Sequence, residues 1–154
     1  MAAHESPAAA NSLSVRFWGV RGSIACPGPS TLRYGGNTPC LEVRDERTNA
    51  LLVLDAGSGI VGLGQSLGSV PHAVPILLTH YHWDHIGNAN LFAGATWLAR
   101  KVERDMMLAG KSDSRYPEHY SALKTSKFKL VDNASGEYDV FGDGTVVLKS
   151  TPGH

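Results

Sequence analysis

Sulfur is scarce in this chain. Cys26 and Cys40 are its two cysteines. Their spacing matches no zinc or redox motif, and one pair does not make the disulfide framework of a small secreted domain. Both are expected as free, partly buried thiols. Net charge is also missing: 14 Lys and Arg offset 14 Asp and Glu. No global field therefore draws nucleic acid or an anionic membrane, and any polyanion has to be recognised locally. No apolar run approaches the roughly 20 residues of a membrane span. The opening MAAHESPAAANS lacks the basic start and apolar stretch of a secretory signal. Residues 1–12 are expected as a disordered tail of a cytoplasmic protein, and 13–154 as a single domain free of repeats and linkers.

What is present is globular composition, 42% hydrophobic and 18% charged. Short β-prone runs alternate with Gly and Pro: LSVRFW (13–18), CLEVR (40–44), LLVLD (51–55), PILLT (75–79), FKLV (128–131) and TVVLKS (145–150). LLVLD and PILLT have no polar alternation and suit strands covered on both faces, whereas the charges in CLEVR and VVLKS suit strands nearer an edge. Helical pattern is confined to the middle. RKVERDMMLAG, from Arg100, sets Val102, Met106 and Leu108 or Ala109 toward one side and stops at Gly110, and YPEHYSALK opens on Pro117. In EYDVFGDGTVVLKS, Asp143-Gly144 predicts a tight hairpin turn. The order of elements predicts a layered α/β sheet.

THYHWDHIGN (79–88) holds three histidines and an aspartate within six residues, at the end of an apolar strand. If that strand runs on to His80, alternation turns His80 and His82 the same way, about 6.5 Å apart at Cα, close enough to share an ion. Asp84 and His85 follow where the chain turns, so one loop can serve two adjacent ions. His4, His72 and His119 have no ligand-like neighbours. Met106 and Met107 read as core filling, and the Arg100/Lys101/Arg104 and Lys124/Lys127/Lys129 groups as solvated faces. The glycines and prolines of 19–36 read as turns, with presentation of backbone N–H groups to an anion as the alternative.

HYHWDH (80–85) is similar to the H-x-H-x-D-H signature of the metallo-β-lactamase superfamily. LLVLDAGSG (51–59) resembles that family's strand and D-x-G turn, and GDGTVVLKSTPGH (142–154) its strand and P-G-H element. The resemblance implies an αββα sandwich with a binuclear site, usually zinc, at a sheet edge. It implies His80, His82 and His154 as ligands of one ion, Asp84 and His85 as ligands of a second, and Asp55 as an orienting residue beside them. The family continues beyond P-G-H into a second sheet, a bridging aspartate and a last histidine. The expectation here is thus a fold truncated after roughly its first half, with a weakly held second ion and a sheet face free for self-association.

The chemistry implied is hydrolysis. Zinc brings the pKa of bound water to about 7, so hydroxide is available at neutral pH, and a second ion holds the developing oxyanion. Asp84 is the candidate to accept or relay the proton. Imidazole and carboxylate also suit iron or manganese. The front, VRFWGVRGSIACPGPSTLRYGGNTPCLEVR (15–44), resembles the phosphodiesterase and tRNA-processing nuclease branch. The part from GNANLFAGATWLARKVERDMM (87–107) onward resembles the lactonase-like branch, as though two genes met near the metal motif. The small-molecule substrate is accordingly expected to be an ester or lactone, with a phosphodiester as the alternative. A non-catalytic metal-binding fragment is the third reading.

Overall fold

The computed structural model describes residues 12–68, 74–109 and 117–151. Residues 1–11 of the expected tail, His4 among them, and also His72 and the proposed ligand His154 lie outside them, while the Ser12 carbonyl accepts from the Glu46 amide at 3.0 Å. Six strands form one mixed sheet in chain order: β1 (Leu13–Gly19), β2 (Cys40–Asp45), β3 (Leu51–Leu54), β4 (Pro75–Leu77), β5 (Thr96–Ala99) and β6 (Lys127–Leu130). The first three form an antiparallel meander, and β3 to β6 run parallel. Parallel neighbours need crossovers, and these are supplied by α1 (Gly59–Leu67), α2 (Trp83–Ile86) with a 3-10 turn at Ala89–Phe92, and α3 (Lys101–Leu108) with a 3-10 run at Pro117–Lys124. Mixed α/β layering around a central sheet is as the sequence predicts.

The pairing register gives the two faces of the sheet different partners. Val53, Ile76 and Trp97 lie on one face, fully buried with Ile60 and Leu63 of α1, Ile86 of α2, Phe92 and Leu123. Val43, Leu52 and Leu98 lie on the other. They are covered by Tyr138, Val140, Phe141 and Val146 of a hairpin whose strands are β7 (Glu137–Asp139) and β8 (Val147–Lys149). That second face is thus less bare than expected. Its uncovered part is at β1, where Val15 and Phe17 are 50% and 64% exposed.

Several local expectations are corrected. β5 and α1 lie outside the runs read from sequence: TWLA is too short for a periodicity, and α1 carries three glycines, poor helix formers held here by packing. β4 ends at Leu77, before His80. In α3 the buried residue is Met107, while Val102, Met106 and Leu108 are substantially exposed. The hairpin turn is wide: Asp139 pairs with Val147, and its carboxylate accepts from the amides of Gly142 and Gly144, both at positive φ. β2 is interior, and its charges pair among themselves. Glu42 accepts from Arg44 and from the Trp18 indole N–H. Burial pushes the Glu42 carboxyl up, but those hydrogen bonds and the charges of Arg44 and Arg16 outweigh it and hold it below the usual value. Both cysteines are free, Cys40 buried and Cys26 exposed rather than partly covered. Among the described residues, no helix is long and apolar enough to cross a membrane.

Candidate metal centre

The histidine motif leaves the carboxyl end of β4, at the edge of the sheet where β3, β5 and β6 also end. In parallel sheets that edge is where loops converge on a ligand. Three tethers hold the motif. Asp55, directly after β3, accepts from the Thr79 amide at 2.9 Å, from the Thr79 hydroxyl at 3.0 and 2.9 Å, and from His85 Nδ1 at 2.8 Å. Glu103 in the first turn of α3 accepts from the Tyr81 amide at 3.2 Å. Asp84 accepts from the Ser23 amide at 2.8 Å. Asp55 is 4% exposed and sits at φ +64, a left-handed conformation that ordinary side chains avoid and Asp tolerates better than most. Gly57 follows it because there is no room for a side chain: a Cβ there would stand 2.3 Å from the Asp84 carbonyl oxygen.

The donors come together as two pairs. His80 Nε2 stands 3.1 Å from His82 Nδ1, and His85 Nε2 stands 3.6 Å from Asp84 Oδ2. Two ligands on one tetrahedral zinc, each about 2.0–2.2 Å from the ion, lie roughly 3.3–3.6 Å apart; the His85–Asp84 pair stands at that spacing, and the His80–His82 pair, at hydrogen-bond distance, stands slightly inside it. The pairs adjoin, with the rings of His80 and His85 centred 4.0 Å apart. Among the described residues, no three His, Cys, Asp or Glu side chains close around one common point. Each pair lacks a third protein donor there. The donor set suits zinc, with imidazole and carboxylate groups already turned toward one another. His80 and His82 meet without strand alternation, since both lie in the loop beyond β4 and His82 is the extended residue that opens α2.

Tautomers follow from the acceptors. A carboxylate only accepts, so His85 Nδ1 carries a proton and donates it to Asp55, and Nε2 faces Asp84. Thr79 has a single hydroxyl proton, which goes to Asp55. Thr79 Oγ1 then accepts from His80 Nδ1 at 3.1 Å, and His80 Nε2 stands 3.1 Å from His82 Nδ1. Burial pulls the His85 imidazole down, but the Asp55 hydrogen bond and the charges of Asp55 and Asp84 outweigh it and raise its pKa above the ordinary 6.5. Asp55, Thr79 and Glu103 are thus the orienting residues. The D-x-G resemblance pointed to Asp55, while nothing in sequence spacing points to Glu103 or Ser23.

A cavity of about 780 Å³ opens beside His80 and His82, between α3 and the β7–β8 hairpin. Leu77, Val102, Val131 and Leu148 supply apolar wall, and Arg100 and Lys149 add charge. Both cations are engaged, Arg100 with Asp132 at 3.6 Å and Lys149 with Glu137 at 2.8 Å. Asp132 also caps α3 through the Lys101 amide. Asp105 pairs with Lys101 and Arg104, so this basic group is a paired surface.

The model of the metallo-beta-lactamase superfamily matches residues 34–154. N-acyl homoserine lactonase AttM of Agrobacterium fabrum (strain C58 / ATCC 33970) is 32% identical over 109 residues, which is 66% of this chain and 40% of AttM. The chain thus spans about two fifths of that relative's length. A metallo-beta-lactamase of Thermotoga maritima superposes with TM-score 0.54 and 19% identity, over 82% of this chain and 62% of that one. A variant of AiiA from B. thuringiensis, with N-decanoyl-L-homoserine bound at its active site, superposes with TM-score 0.57 and 21% identity, over 76% and 55%. These structural likenesses concern the fold.

Proposed function

Because the chain belongs to the metallo-beta-lactamase superfamily, we propose that it is a metal-dependent hydrolase acting on an ester or lactone with an apolar acyl arm. The observation that carries this reading is the cavity of about 780 Å³, with walls at Leu77, Val102, Val131 and Leu148, opening onto His80 and His82. AttM, named as an N-acyl homoserine lactonase, supports it.

In this reading His80 and His82, with His154, hold one divalent ion, and Asp84 and His85 contribute to a second. Zinc is the ion best suited to the donors, with iron or manganese as alternatives. When bound, such an ion acidifies water to near neutrality and polarises a carbonyl. The rest falls to the chain. The apolar wall takes the acyl arm and excludes water from it. Asp55 holds His85 directly and His80 through Thr79, so both rings turn Nε2 away from these tethers, toward Asp84 and His82. Asp84, 7% exposed, is the carboxylate placed to accept a proton beside the reacting group.

A phosphodiester is the second reading. The segment that reaches Asp84 through Ser23 carries Arg21 and Arg33, and the sequence has no acidic residue between Glu5 and Glu42. Turnover of an N-acyl homoserine lactone beside bis(p-nitrophenyl) phosphate, on zinc-loaded protein, tests both. Lactone turnover that His82→Ala abolishes and His119→Ala spares is the expected result. Turnover of the phosphate alone would replace the leading reading. Zinc binding with turnover of neither would sink both in favour of a non-catalytic metal-binding protein.

A further inference from the structure

We propose that the Ser23 backbone amide is a positioning group for Asp84, clamping the carboxylate oxygen that faces His85. This inference rests on the metal-site reading above. The contact joins residues 61 apart in sequence, Ser23 N–H donating to Asp84 Oδ2 at 2.8 Å, and that same oxygen stands 3.6 Å from His85 Nε2. A carboxylate needed merely to satisfy a loop amide would do so as well in solvent. Asp84 is 7% exposed and its Oδ2 faces His85 Nε2, so its rotamer decides whether the two can share a ligand.

The donor side is a built structure. Ser23 has φ +62, outside the region a serine prefers. Strain of this kind persists only where surrounding structure over-determines it, and it concentrates at functional sites. Around Ser23, the amides of Val20 and Arg21 both donate to the Asn37 carbonyl at 3.1 and 2.9 Å, and the Ile24 amide donates to Gly22 at 2.8 Å. The Cys26 amide donates to Gly36 at 2.8 Å, and a Cβ on Gly36 would stand 2.3 Å from the Cys26 carbonyl oxygen, so the two ends of the loop are pressed together. The loop therefore delivers one N–H, from a fixed frame, to one oxygen. Because the donor is backbone, the serine hydroxyl is dispensable and the amide is not.

The test compares zinc affinity, by competition with a chromophoric chelator, and the Co²⁺ absorption spectrum in four versions of the chain: wild type, Ser23→Ala, Ser23→Pro, and one with a backbone ester in place of the residue 23 amide. Ser23→Ala keeps the amide and is expected to match wild type in both readouts. Ser23→Pro removes the donor and cannot adopt φ +62. The ester removes the donor with little change of shape, so it decides the matter even where the proline chain does not fold. Each is expected to bind zinc about tenfold or more weakly, as when an orienting partner of a ligand is lost, and to shift the Co²⁺ spectrum. An ester chain with wild-type affinity and spectrum overturns the clamp. A wild-type chain that binds neither zinc nor Co²⁺ overturns the metal-site reading and the clamp with it.

Discussion

Asp55 and His85, thirty residues apart, face each other with carboxylate Oδ2 2.8 Å from imidazole Nδ1. The contact ties the end of β3 to the histidine motif beyond β4 and fixes Nδ1 as the His85 nitrogen that faces Asp55. It also explains why an aspartate occupies a left-handed position where glycine would be easier: the side chain is needed there for three separate donors.

Asp55→Asn tests that role with little backbone disturbance, since Asn accepts left-handed φ as readily as Asp. The amide can still accept from Thr79 but pairs only weakly with His85. Zinc affinity measured by chelator competition is expected to fall about 10–100-fold, with the far-ultraviolet circular dichroism unchanged. Affinity equal to wild type would show that His85 needs no orienting partner.

Cys40 gives the chain an alkaline limit. Burial, then the charges of Asp55 and Glu42, push its thiol up to about 12 from an ordinary 9.0. The folded state thus holds the proton more tightly than the unfolded chain. The stability this contributes is complete below about pH 9 and is lost as pH rises toward 12. Relative to Cys40→Ala, the wild-type folding constant should fall by up to about tenfold per pH unit across that window, read from urea unfolding. A thiol reagent at pH 8 should modify the exposed Cys26 in the native chain and both cysteines after denaturation. A pH-independent difference between the two proteins would contradict the assignment.

How much of this was legible beforehand depends on the range of the interaction. HYHWDH is contiguous, so a cluster of His and Asp side chains is legible directly, and apolar runs such as LLVLD announce the central strands because burial on both faces leaves no polar alternation. Ser23 to Asp84 and Glu103 to Tyr81 were invisible, because a backbone amide has no sequence signature and the partners lie 61 and 22 residues apart. α1 escaped because its glycines oppose helix by propensity. They are accepted where the helix packs closely: a Cβ on Gly59 would stand 2.7 Å from the Gly19 nitrogen, and one on Gly62 would stand 3.1 Å from the Trp18 ring. The buried face of α3 is not legible from its sequence, because an eight-residue helix with three apolar side chains exposed carries little amphipathic information.

The open part of the sheet predicts association. Leu13, Val15 and Phe17 alternate on one face of the edge strand β1, 39%, 50% and 64% exposed. Exposed edge strands with an apolar face tend to pair with other copies, and the one charge within β1, Arg16, lies on the opposite face over the Trp18 ring. Light scattering is expected to show mass rising with concentration, and Phe17→Lys to lower it toward the monomer. A wild-type monomer at all concentrations would refute this surface as a contact.

The cavity makes the substrate proposal quantitative. Burying each added methylene of an acyl arm is worth about 0.8 kcal/mol, or roughly fourfold in affinity, so kcat/KM for N-acyl lactones should climb with chain length until the apolar wall is covered. Val102 lines that wall and is 48% exposed, so a larger side chain there intrudes on the cavity without repacking the core. Val102→Trp should flatten the length dependence by slowing the long-chain substrates while leaving the shortest near wild type. A uniform loss across all lengths would mean that the substitution disturbs the histidine loop, since Glu103 beside it holds the Tyr81 amide. A gradient that survives the substitution would place the acyl arm elsewhere, and the exposed Ile24, adjacent to Ser23, would then be the wall to test.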